Sequence, residues 1–447
     1  MSTTDLPVAF ARRMREMLGE DGYEAFALSL RESPPVSVRI NPDKCAAMPM
    51  AGQTPVAWSS RGYYLDHRPD FTLDPLFHAG TYYVQEASSM FLEQALRVVG
   101  QPRTVLDLCA APGGKSTLLR SLLPDEAVLV SNDPVGQRAQ VLAENMIKWG
   151  YEGCLVTCGG AHDFGSLGAL FDLIVVDAPC SGEGMFRKDN PARELWSEAN
   201  VAMCAERQRD ILRSVWPALK EGGYMVYSTC TYNTDEDERN VEYVCESLGA
   251  EAVAIPLDAG WQIRGNMAGC ENMPVCRFFP HLTRGEGFFL ALLRKTQGVR
   301  PSRIKIPRHV LPLSGEWKAR LQKDDMMLHE RNGLGYAVRS GDIAMTAFLA
   351  EAVRVLTCGI PLYEQKGPKK VPHHGLAMSR LLRKDRFPVV DLSENQALDY
   401  LRCMAMTIDA PRGYVLMTYR GVPLGFVNNL GFRANNMYPK AWRIRYC

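Results

Sequence analysis

The sequence predicts an α/β protein built on a parallel sheet, with smaller modules before and after it. From residue 104 onward, short apolar runs alternate with helical patterns, as they do in doubly wound sheets. A glycine-rich turn at residues 109–115 follows the first of these runs and opens a helix. Two cysteines, Cys180 and Cys230, each come just after a later run. All three features fall at the carboxyl ends of strands, the edge at which such sheets bind ligands.

The segment before the sheet is expected to form a small α/β extension over residues 1–95. Apolar positions at helical spacing predict a helix over residues 7–32, which a pair of prolines ends. Residues 36–40 and 58–65 are strand candidates, because they are short runs rich in β-branched and aromatic residues. A helical pattern over residues 85–99 leads into the main domain.

The main domain is expected over residues 96–295, with a sheet that is covered on both faces and ends near Lys295. Its predicted strands are residues 104–108, 127–131, 154–157, 171–176, 224–227 and 287–293. Its predicted helices are residues 114–123, 135–149, 192–219 and 236–248. Beyond it, we expect a linker and a first C-terminal domain over residues 296–370. A small barrel-like module is expected over residues 371–447.

The charge of the chain is strongly divided, although its net charge is only +1. Residues 296–447 hold 24 lysines and arginines against 12 acids, whereas residues 1–295 hold 27 against 38. A basic tail on an acidic body indicates a polyanion-binding module attached to an enzyme, and we favour nucleic acid over an unevenly charged solvated surface. The expected phosphate contacts of the tail are Lys369, Lys370, Arg383 and Lys384, within a basic stretch at residues 366–386.

The remaining composition narrows the class of protein. No apolar run approaches the roughly 20 residues that a membrane helix needs, and the N-terminus lacks the pattern of a secretory signal. The 13 cysteines form no disulfide framework and no paired zinc motif, which favours free thiols in the cytoplasm and no bound metal. We expect a monomer.

Three acidic residues follow three successive predicted strands. Asp133 is placed where an acid can bind both hydroxyls of a ribose, and Asp163 lies within reach of an adenine amino group. Asp177 follows the next strand. Carboxylates are poor phosphate binders, so the ligand is expected to carry ribose and base but no phosphate. S-adenosylmethionine fits that description better than NAD or ATP, although the glycines alone would also suit a plain strand-to-helix turn.

Two thiols beside a methyl donor suggest methyl transfer to a carbon that must first be activated. C5 of cytosine is a poor nucleophile, and attack of a thiolate on C6 makes it enamine-like. A carboxylate near N3 then stabilises the developing charge, and a second thiol can remove the C5 proton. The alternatives for Cys180 and Cys230 are buried apolar packing and a redox disulfide pair.

Three segments resemble the NOL1/NOP2/Sun family of RNA cytosine-5 methyltransferases: Asp107-Leu108-Cys109-Ala110-Ala111-Pro112-Gly113-Gly114-Lys115, Asp177-Ala178-Pro179-Cys180-Ser181-Gly182 and Tyr227-Ser228-Thr229-Cys230-Thr231. Residues 80–90 resemble a further motif of that family, and residues 36–41 resemble its N-terminal RNA-contacting segment, in which Arg39 is the candidate contact. The chain departs from the family at Glu183, where many members have a threonine between two glycines.

The resemblance implies a Rossmann-like seven-stranded S-adenosylmethionine-dependent methyltransferase sheet with an RRM-like N-terminal extension. It assigns the nucleophile to Cys230, product release to Cys180, and a catalytic role to Asp177. The implied methyl-donor contacts are Cys109, Ala110, Ala111, Pro112, Gly113, Gly114, Lys115, Asp133, Arg138, Asp163 and Asp177.

Residues 421–427 and 435–444 resemble the PUA-like C-terminal module of RsmF-type 16S rRNA methyltransferases, which implies 16S rRNA or the small ribosomal subunit as substrate. Two other functions stay open. A DNA cytosine-5 methyltransferase would use Cys180 as its nucleophile and would leave the basic tail unexplained. A non-catalytic RNA-binding protein of ribosome assembly would leave both thiols unexplained.

Overall fold

The computed structural model describes residues 6–45, 53–188, 190–269, 273–298, 304 and 311–445. Most of the first fifteen residues of the predicted linker and first C-terminal domain, 296–310, therefore lie outside the described residues. The helices are α1 Val8–Ser29, α2 Pro75–His78, α3 Leu92–Val99, α4 Gly114–Leu122, α5 Gly136–Trp149, α6 Ala161–Gly165, α7 Asn190–Leu195, α8 Glu198–Val215, α9 Glu238–Leu248, α10 Gly315–Lys318, α11 Ile343–Ala352, α12 His374–Met378 and α13 Glu394–Leu401.

The strands of the N-terminal and central regions are β1 Val36–Ile40, β2 Gln53–Pro55, β3 Gly62–Leu65, β4 Tyr82–Val84, β5 Thr104–Asp107, β6 Val128–Asn132, β7 Cys154–Cys158, β8 Phe171–Asp177, β9 Leu219–Thr229, β10 Ala250–Val253, β11 Cys276–Phe278 and β12 Phe288–Lys295. The C-terminal strands are β13 Leu311–Pro312, β14 Met326–Arg331, β15 Leu334–Arg339, β16 Arg354–Cys358, β17 Ile360–Lys366, β18 Lys369–Pro372, β19 Val389–Leu392, β20 Gly413–Tyr419, β21 Val422–Asn429 and β22 Ala434–Asn436.

The central sheet confirms the predicted fold class. Seven of its strands run in the order β10-β12-β9-β8-β5-β6-β7. Strands β5 to β9 are mutually parallel, whereas β12 is antiparallel to β9 and β10 is antiparallel to β12. Because β5, β6, β8 and β9 are parallel neighbours, their carboxyl ends meet at one edge, where the glycine turn and both cysteines lie.

The expectation that this sheet ends near Lys295 is wrong, because β16 pairs antiparallel with β7 and extends it. The unpaired backbone groups of β7 need partners, and a strand from the C-terminal region supplies them. Val355 and Cys358 of that strand join the buried core of the central domain. Strand β11, which pairs with β12, was also not predicted.

The N-terminal region packs through its helix against the loops at this edge of the sheet. The short strands there form an antiparallel sheet in the order β2-β3-β1-β4. Helix α1 forms a separate aromatic cluster in which Phe10 lies 5.7 Å from Trp196 and Phe26 lies 5.0 Å from Tyr232, measured between ring centroids. Tyr232 is two residues beyond Cys230, so α1 backs the loop that carries this thiol.

The C-terminal region forms two further sheets, in the orders β13-β14-β15-β17-β18 and β19-β20-β21-β22. The last of these shares one apolar core with the N-terminal sheet, in which Val38 and Tyr82 pack with Tyr400 and Met417. The two ends of the chain therefore meet beside the central sheet, although the domain boundaries at residues 95, 295 and 370 stay a prediction.

Candidate active site

The two cysteines lie side by side at the ends of neighbouring strands. Asp177 of β8 is in register with Ser228 of β9, so the loops that follow both strands leave the sheet together. The Sγ atoms of Cys180 and Cys230 are 3.2 Å apart. The hydrogen bond between the thiols and the burial of Cys180 raise the pKa of Cys180 well above its usual value. Cys180 therefore keeps its proton at neutral pH and can donate it towards the sulfur of Cys230.

Lys115 and Asp177 place a charged pair beside the thiols. The Lys115 Nζ lies 2.8 Å from Asp177 Oδ2, while Asp177 Oδ1 accepts a hydrogen bond of 2.8 Å from the Ser228 hydroxyl. Burial opposes the charge of Lys115, but Asp177, Asp107 and Cys230 outweigh it and raise the pKa of the ammonium. The site thus holds a permanent positive charge that can offset negative charge formed on a substrate.

A cleft of about 190 Å³ opens between the N-terminal extension and the glycine turn. It is lined by Tyr83, Val84, Gln85, Glu86, Ser89, Asp107, Cys109, Ala110, Ala111, Pro112, Gly114, Lys115 and Asp177. Gly113 has a φ of 118°, a conformation that favours glycine, and α4 begins at the next residue. The structure therefore brings most of the predicted turn, with Lys115 and Asp177, to one cleft wall.

Asp133 lies behind this turn and keeps one oxygen without a hydrogen-bond partner. Its Oδ1 accepts a bond of 2.9 Å from the Val135 amide, whereas the buried Oδ2 meets only Arg138, with Nη2 at 3.3 Å. Arg138 also donates to the Ala111 carbonyl at 3.1 Å. A buried acceptor with spare capacity fits the predicted ribose hydroxyls, although neither Asp133 nor Arg138 lines the cleft.

Asp163 stands at the start of α6 and also lies outside the cleft lining. Its Oδ2 accepts a bond of 2.7 Å from the Gly160 amide, so one oxygen is used locally and its adenine contact stays a prediction.

Burial raises the pKa of Asp107 to about 7, and also raises the pKa of Cys109. Asp107, which the sequence analysis did not single out as a contact, is thus a cleft residue that can carry a proton.

Buried acids that follow Cys230 anchor its loop, and the sequence analysis missed them. Glu236 accepts bonds of 2.9 Å from the Ser181 amide and 2.8 Å from the Asn233 side chain. Glu238 and Asp237 both pair with Arg277, which is itself buried. The available signal was the run Asp235-Glu236-Asp237-Glu238, which begins five residues after Cys230, because four consecutive acids beside a helix start need partners.

The prediction that Arg39 contacts RNA is corrected by its burial. The side chain is 1% exposed, donates to the Gln85 side chain at 2.8 Å and to the Thr117 hydroxyl at 2.6 Å, and lies over the Trp149 ring. An arginine so enclosed braces the N-terminal strand against α4 and cannot reach a phosphate.

The basic stretch at residues 366–386 is largely engaged with acids and carbonyls. Lys370 lies 3.5 Å from Glu330, Arg383 lies 3.1 Å from Asp385, and Lys384 donates to the Gly421 carbonyl at 2.9 Å. Arg380 is further enclosed and bridges to Asp43, Asp125 and Glu152, so it holds regions of the protein together. Lys369 is exposed. The RNA contacts in this stretch stay a prediction.

Within the described part of the chain, no cluster of histidines, cysteines and acids could hold a metal ion. No helix in that part is long and apolar enough to cross a membrane.

Three families match successive parts of the chain. The family described as the N-terminal domain of 16S rRNA methyltransferase RsmF matches residues 6–87. The family described as 16S rRNA methyltransferase RsmB/F matches residues 95–294, and the Methyltransferase RsmF PUA domain matches residues 387–444.

Curated relatives match nearly the whole chain. The chain is similar to the ribosomal RNA small subunit methyltransferase F of Enterobacter sp. (strain 638), with 30% identity over 97% of this chain and 95% of that protein. The protein of the same name from Escherichia coli O157:H7 is 29% identical, over 98% of this chain and 96% of that protein.

Two solved structures from Pyrococcus horikoshii share the fold. A methyltransferase homologue has 27% identity and a TM-score of 0.54, over 64% of this chain and 94% of that one. The structure of NSun6 with SFG has 20% identity and a TM-score of 0.56, over 66% of this chain and 100% of that one.

Proposed function

The chain belongs to the RsmB/F family of 16S rRNA methyltransferases, and from this we propose that it methylates C5 of a cytosine in 16S rRNA through a covalent bond between Cys230 and C6. The observation that supports this chemistry is the contact of two thiols at 3.2 Å beside the Lys115–Asp177 pair. A single thiol could simply pack in the protein core. Two thiols in contact beside a ligand cleft can instead take two roles, in which one attacks C6 and the other removes the C5 proton.

The residues present fit S-adenosylmethionine as the methyl donor. Asp133 keeps a buried acceptor for a hydroxyl, and the cleft wall of the glycine turn leads to Lys115 and Asp177. When bound, S-adenosylmethionine supplies an electrophilic methyl carbon. We assign the ribose to Asp133, with Arg138 holding that carboxylate, and the adenine side to Asp163.

Cys230 begins the proposed reaction as the nucleophile. Its thiolate adds to C6, and the electron pair of the C5–C6 double bond moves so that C5 can take the methyl group. Negative charge develops on the N3 side of the ring, where the Lys115–Asp177 pair stabilises it. The raised pKa of Lys115 keeps the ammonium charged, so that it can offset this negative charge without giving up its proton.

Cys180 completes the proposed reaction. Once Cys230 is bonded to carbon, Cys180 no longer faces a thiolate, so the larger of the two causes that raised the pKa of Cys180 is removed and Cys180 can release its proton to solvent. The Cys180 thiolate then takes the C5 proton, the C–H electron pair restores the C5–C6 double bond, and the bond between Cys230 and C6 breaks. Cys230 regains its thiolate and 5-methylcytosine leaves.

The substrate and setting are also proposals. We propose 16S rRNA, free or in the small subunit, as the partner, a monomer as the working form, and the cytoplasm as the location. Every described cysteine is a free thiol, which suits a reducing compartment.

The experiment that tests the proposed function compares RNA from cells with and without the gene by bisulfite sequencing. Purified protein is then given 16S rRNA, a labelled methyl donor and, in parallel, DNA of the same sequence. We expect a single class of 5-methylcytosine in RNA that the purified protein restores. Methylation of DNA alone, or of a position other than C5, would contradict the proposal.

A further inference from the structure

Glu183 lies in the buried space between the two thiol loops. It is three residues beyond Cys180 and is 1% exposed. Its Oε2 accepts three hydrogen bonds from the loop that carries Cys230: from Thr231 Oγ1 at 2.6 Å, the Tyr232 amide at 2.8 Å and the Asn233 amide at 3.0 Å. One carboxylate oxygen on the Cys180 loop therefore holds three successive residues of the Cys230 loop.

The other oxygen of Glu183 is also used, because Oε1 accepts a bond of 2.9 Å from Trp196 Nε1. The next residue adds a backbone tie, since the Gly184 amide donates to the Cys230 carbonyl at 2.8 Å. A Cβ on Gly184 would lie 2.7 Å from that same carbonyl oxygen, so only glycine permits the approach.

We infer that Glu183 is a positioning residue that sets the relation of the two thiols, an inference that rests on the proposed function. Attack on C6 needs Cys230 alone, whereas release needs both thiols at one base. A charged acceptor that is already bonded to the Cys230 loop holds this geometry before the RNA binds. Misplacement of a reacting group by about 1 Å can cost about 10²-fold in rate. Since release needs both thiols in place and attack needs only Cys230, release is the step that depends most on Glu183.

The test is Glu183→Gln in the full chain. Glutamine keeps the shape but offers one oxygen, so its amide group must face either the loop amides or Trp196 Nε1, both of which are donors. We expect kcat to fall by up to about 10²-fold and a protein–RNA adduct to accumulate on a denaturing gel. The KM for RNA should fall together with kcat, so that kcat/KM changes little, because attack precedes the slowed step.

The double variant Glu183→Gln/Trp196→Phe separates positioning from general structure. Phenylalanine removes the donor at Oε1, so the glutamine oxygen can turn to the loop, and adduct release should recover relative to Trp196→Phe alone. Loss of stability without adduct or recovery would show a merely structural role and overturn the inference.

A second measurement keeps the inference testable apart from methylation. Diamide oxidises two thiols in contact to a disulfide, and the rate reports how often Cys180 and Cys230 meet. We expect this rate to fall severalfold in Glu183→Gln, while alkylation of the distant Cys158 is unchanged. An unchanged rate would overturn the positioning role. Absence of 5-methylcytosine from the wild-type protein would instead contradict the proposed function.

A second inference comes from an aromatic side chain at the other end of the chain. Phe432 is 73% exposed, and among the described residues no other phenylalanine, tyrosine or tryptophan is exposed. It lies in the turn between β21 and β22. The Arg433 guanidinium is 5.6 Å from its ring centroid, and Arg412 lies against Gly431, with Nε 2.9 Å from where a Cβ would stand.

Neither Arg412 nor Arg433 pairs with an acid of the described chain, in contrast to Arg383 and Lys370. An exposed ring flanked by two unpaired guanidinium groups offers a stacking face and charges for the adjacent phosphates. We propose that Arg412, Phe432 and Arg433 bind a single-stranded segment of RNA. This deepens the proposed function by naming a substrate contact remote from the thiols.

The test measures the binding of a short labelled single-stranded RNA to the full chain over a range of salt, without methyl donor. Phe432→Ala should weaken binding about fivefold or more, with an unchanged salt slope. Arg412→Ala/Arg433→Ala should lower the slope by about 1.4. The control is Arg420→Ala, at the opposite end of strand β21, which should change neither the affinity nor the salt slope.

Two results would overturn this second inference. Unchanged RNA affinity in both Phe432→Ala and Arg412→Ala/Arg433→Ala would mean that the surface binds another kind of partner. An equal effect of Arg420→Ala, or equal competition by duplex RNA, would mean diffuse attraction without a base-stacking site. Because no chemistry is measured, these results are independent of whether the protein methylates C5.

Discussion

The thiol loops bring two cysteines together, and the stretch at residues 366–386 brings several basic side chains together. The two regions differ in whether the interactions that hold these side chains are buried or exposed. At the thiol loops, buried acids such as Glu236 bond to both loops, and Arg277 closes a buried ion pair behind them. In the basic stretch, Arg383 meets Asp385 at the surface. Exposed pairs contribute little and exchange easily, whereas buried pairs are costly to break. The ion pairs of the first region are therefore fixed in place, whereas those of the second can open at little cost, as the predicted phosphate contacts require.

The largest expected effect comes from removing the thiols themselves, which tests whether the buried region carries the chemistry. We expect Cys230→Ala to lower methyl transfer by on the order of 10⁴-fold or more, because the covalent step is lost. Cys180→Ala should permit attack and stall release, and so leave a stable protein–RNA adduct on a denaturing gel. An adduct with Cys230→Ala in place of Cys180→Ala would reverse the roles and favour the arrangement of DNA methyltransferases.

The next effect tests whether the thiol region is anchored by its buried charges. We expect Arg277→Met to lower the free energy of unfolding by about 3–5 kcal/mol, because Asp237 and Glu238 are left without their buried partner. Urea unfolding measures this loss. The control is Arg213→Met, whose partner Asp210 is exposed, and about 0–1 kcal/mol is expected there. Similar losses in both variants would remove the distinction between the regions.

A smaller effect concerns the methyl donor. We expect Asp133→Asn to weaken S-adenosylmethionine binding by about 1.5–3 kcal/mol per lost charged hydrogen bond, without unfolding the domain. Calorimetry measures the affinity, and the melting temperature without ligand is the check on folding. Unchanged affinity would place the ribose elsewhere.

The smallest effect tests whether the basic stretch at residues 366–386 contacts RNA. Lys369→Ala/Lys370→Ala/Arg383→Ala should flatten the salt dependence of RNA binding by about two units, at roughly 0.7 per phosphate contact, and leave S-adenosylmethionine binding as it was. The matched control removes three exposed cations of the catalytic domain, Arg97, Arg207 and Arg213. An unchanged slope in the first variant would mean that the stretch does not touch RNA.

The strand ends were predictable because their chemistry is local in the sequence. An apolar run followed by Cys180 or Cys230 defines both the strand and the loop that presents the thiol, and parallel pairing then brings the loops together. The glycine turn and Asp133 follow the same rule.

Other features depended on partners that lie far away in the chain. Arg39 could not be recognised as buried, because α4 and Trp149 enclose it from more than 70 positions away. The hydrogen bonds of Glu183 depend on donors from the other thiol loop. The charges of Lys370 and Arg383 look free in the sequence until the acids that pair with them are placed. A run of charged residues therefore predicts a binding site less well than a motif at the end of a strand, because the partners of the charges lie far away in the chain.

The pairing of β16 with β7 has a consequence for biosynthesis. The catalytic sheet keeps one bare edge until Arg354–Cys358 has been made, long after Cys154–Cys158 has left the ribosome. At about 5–20 residues per second, the intervening ~200 residues take roughly 10–40 s to translate. During that interval the nascent chain carries both thiol loops on a sheet whose β7 edge is unprotected. We expect folding in the cell to finish only after the C-terminal region emerges, so that a chain cut after residue 295 is prone to edge-to-edge aggregation.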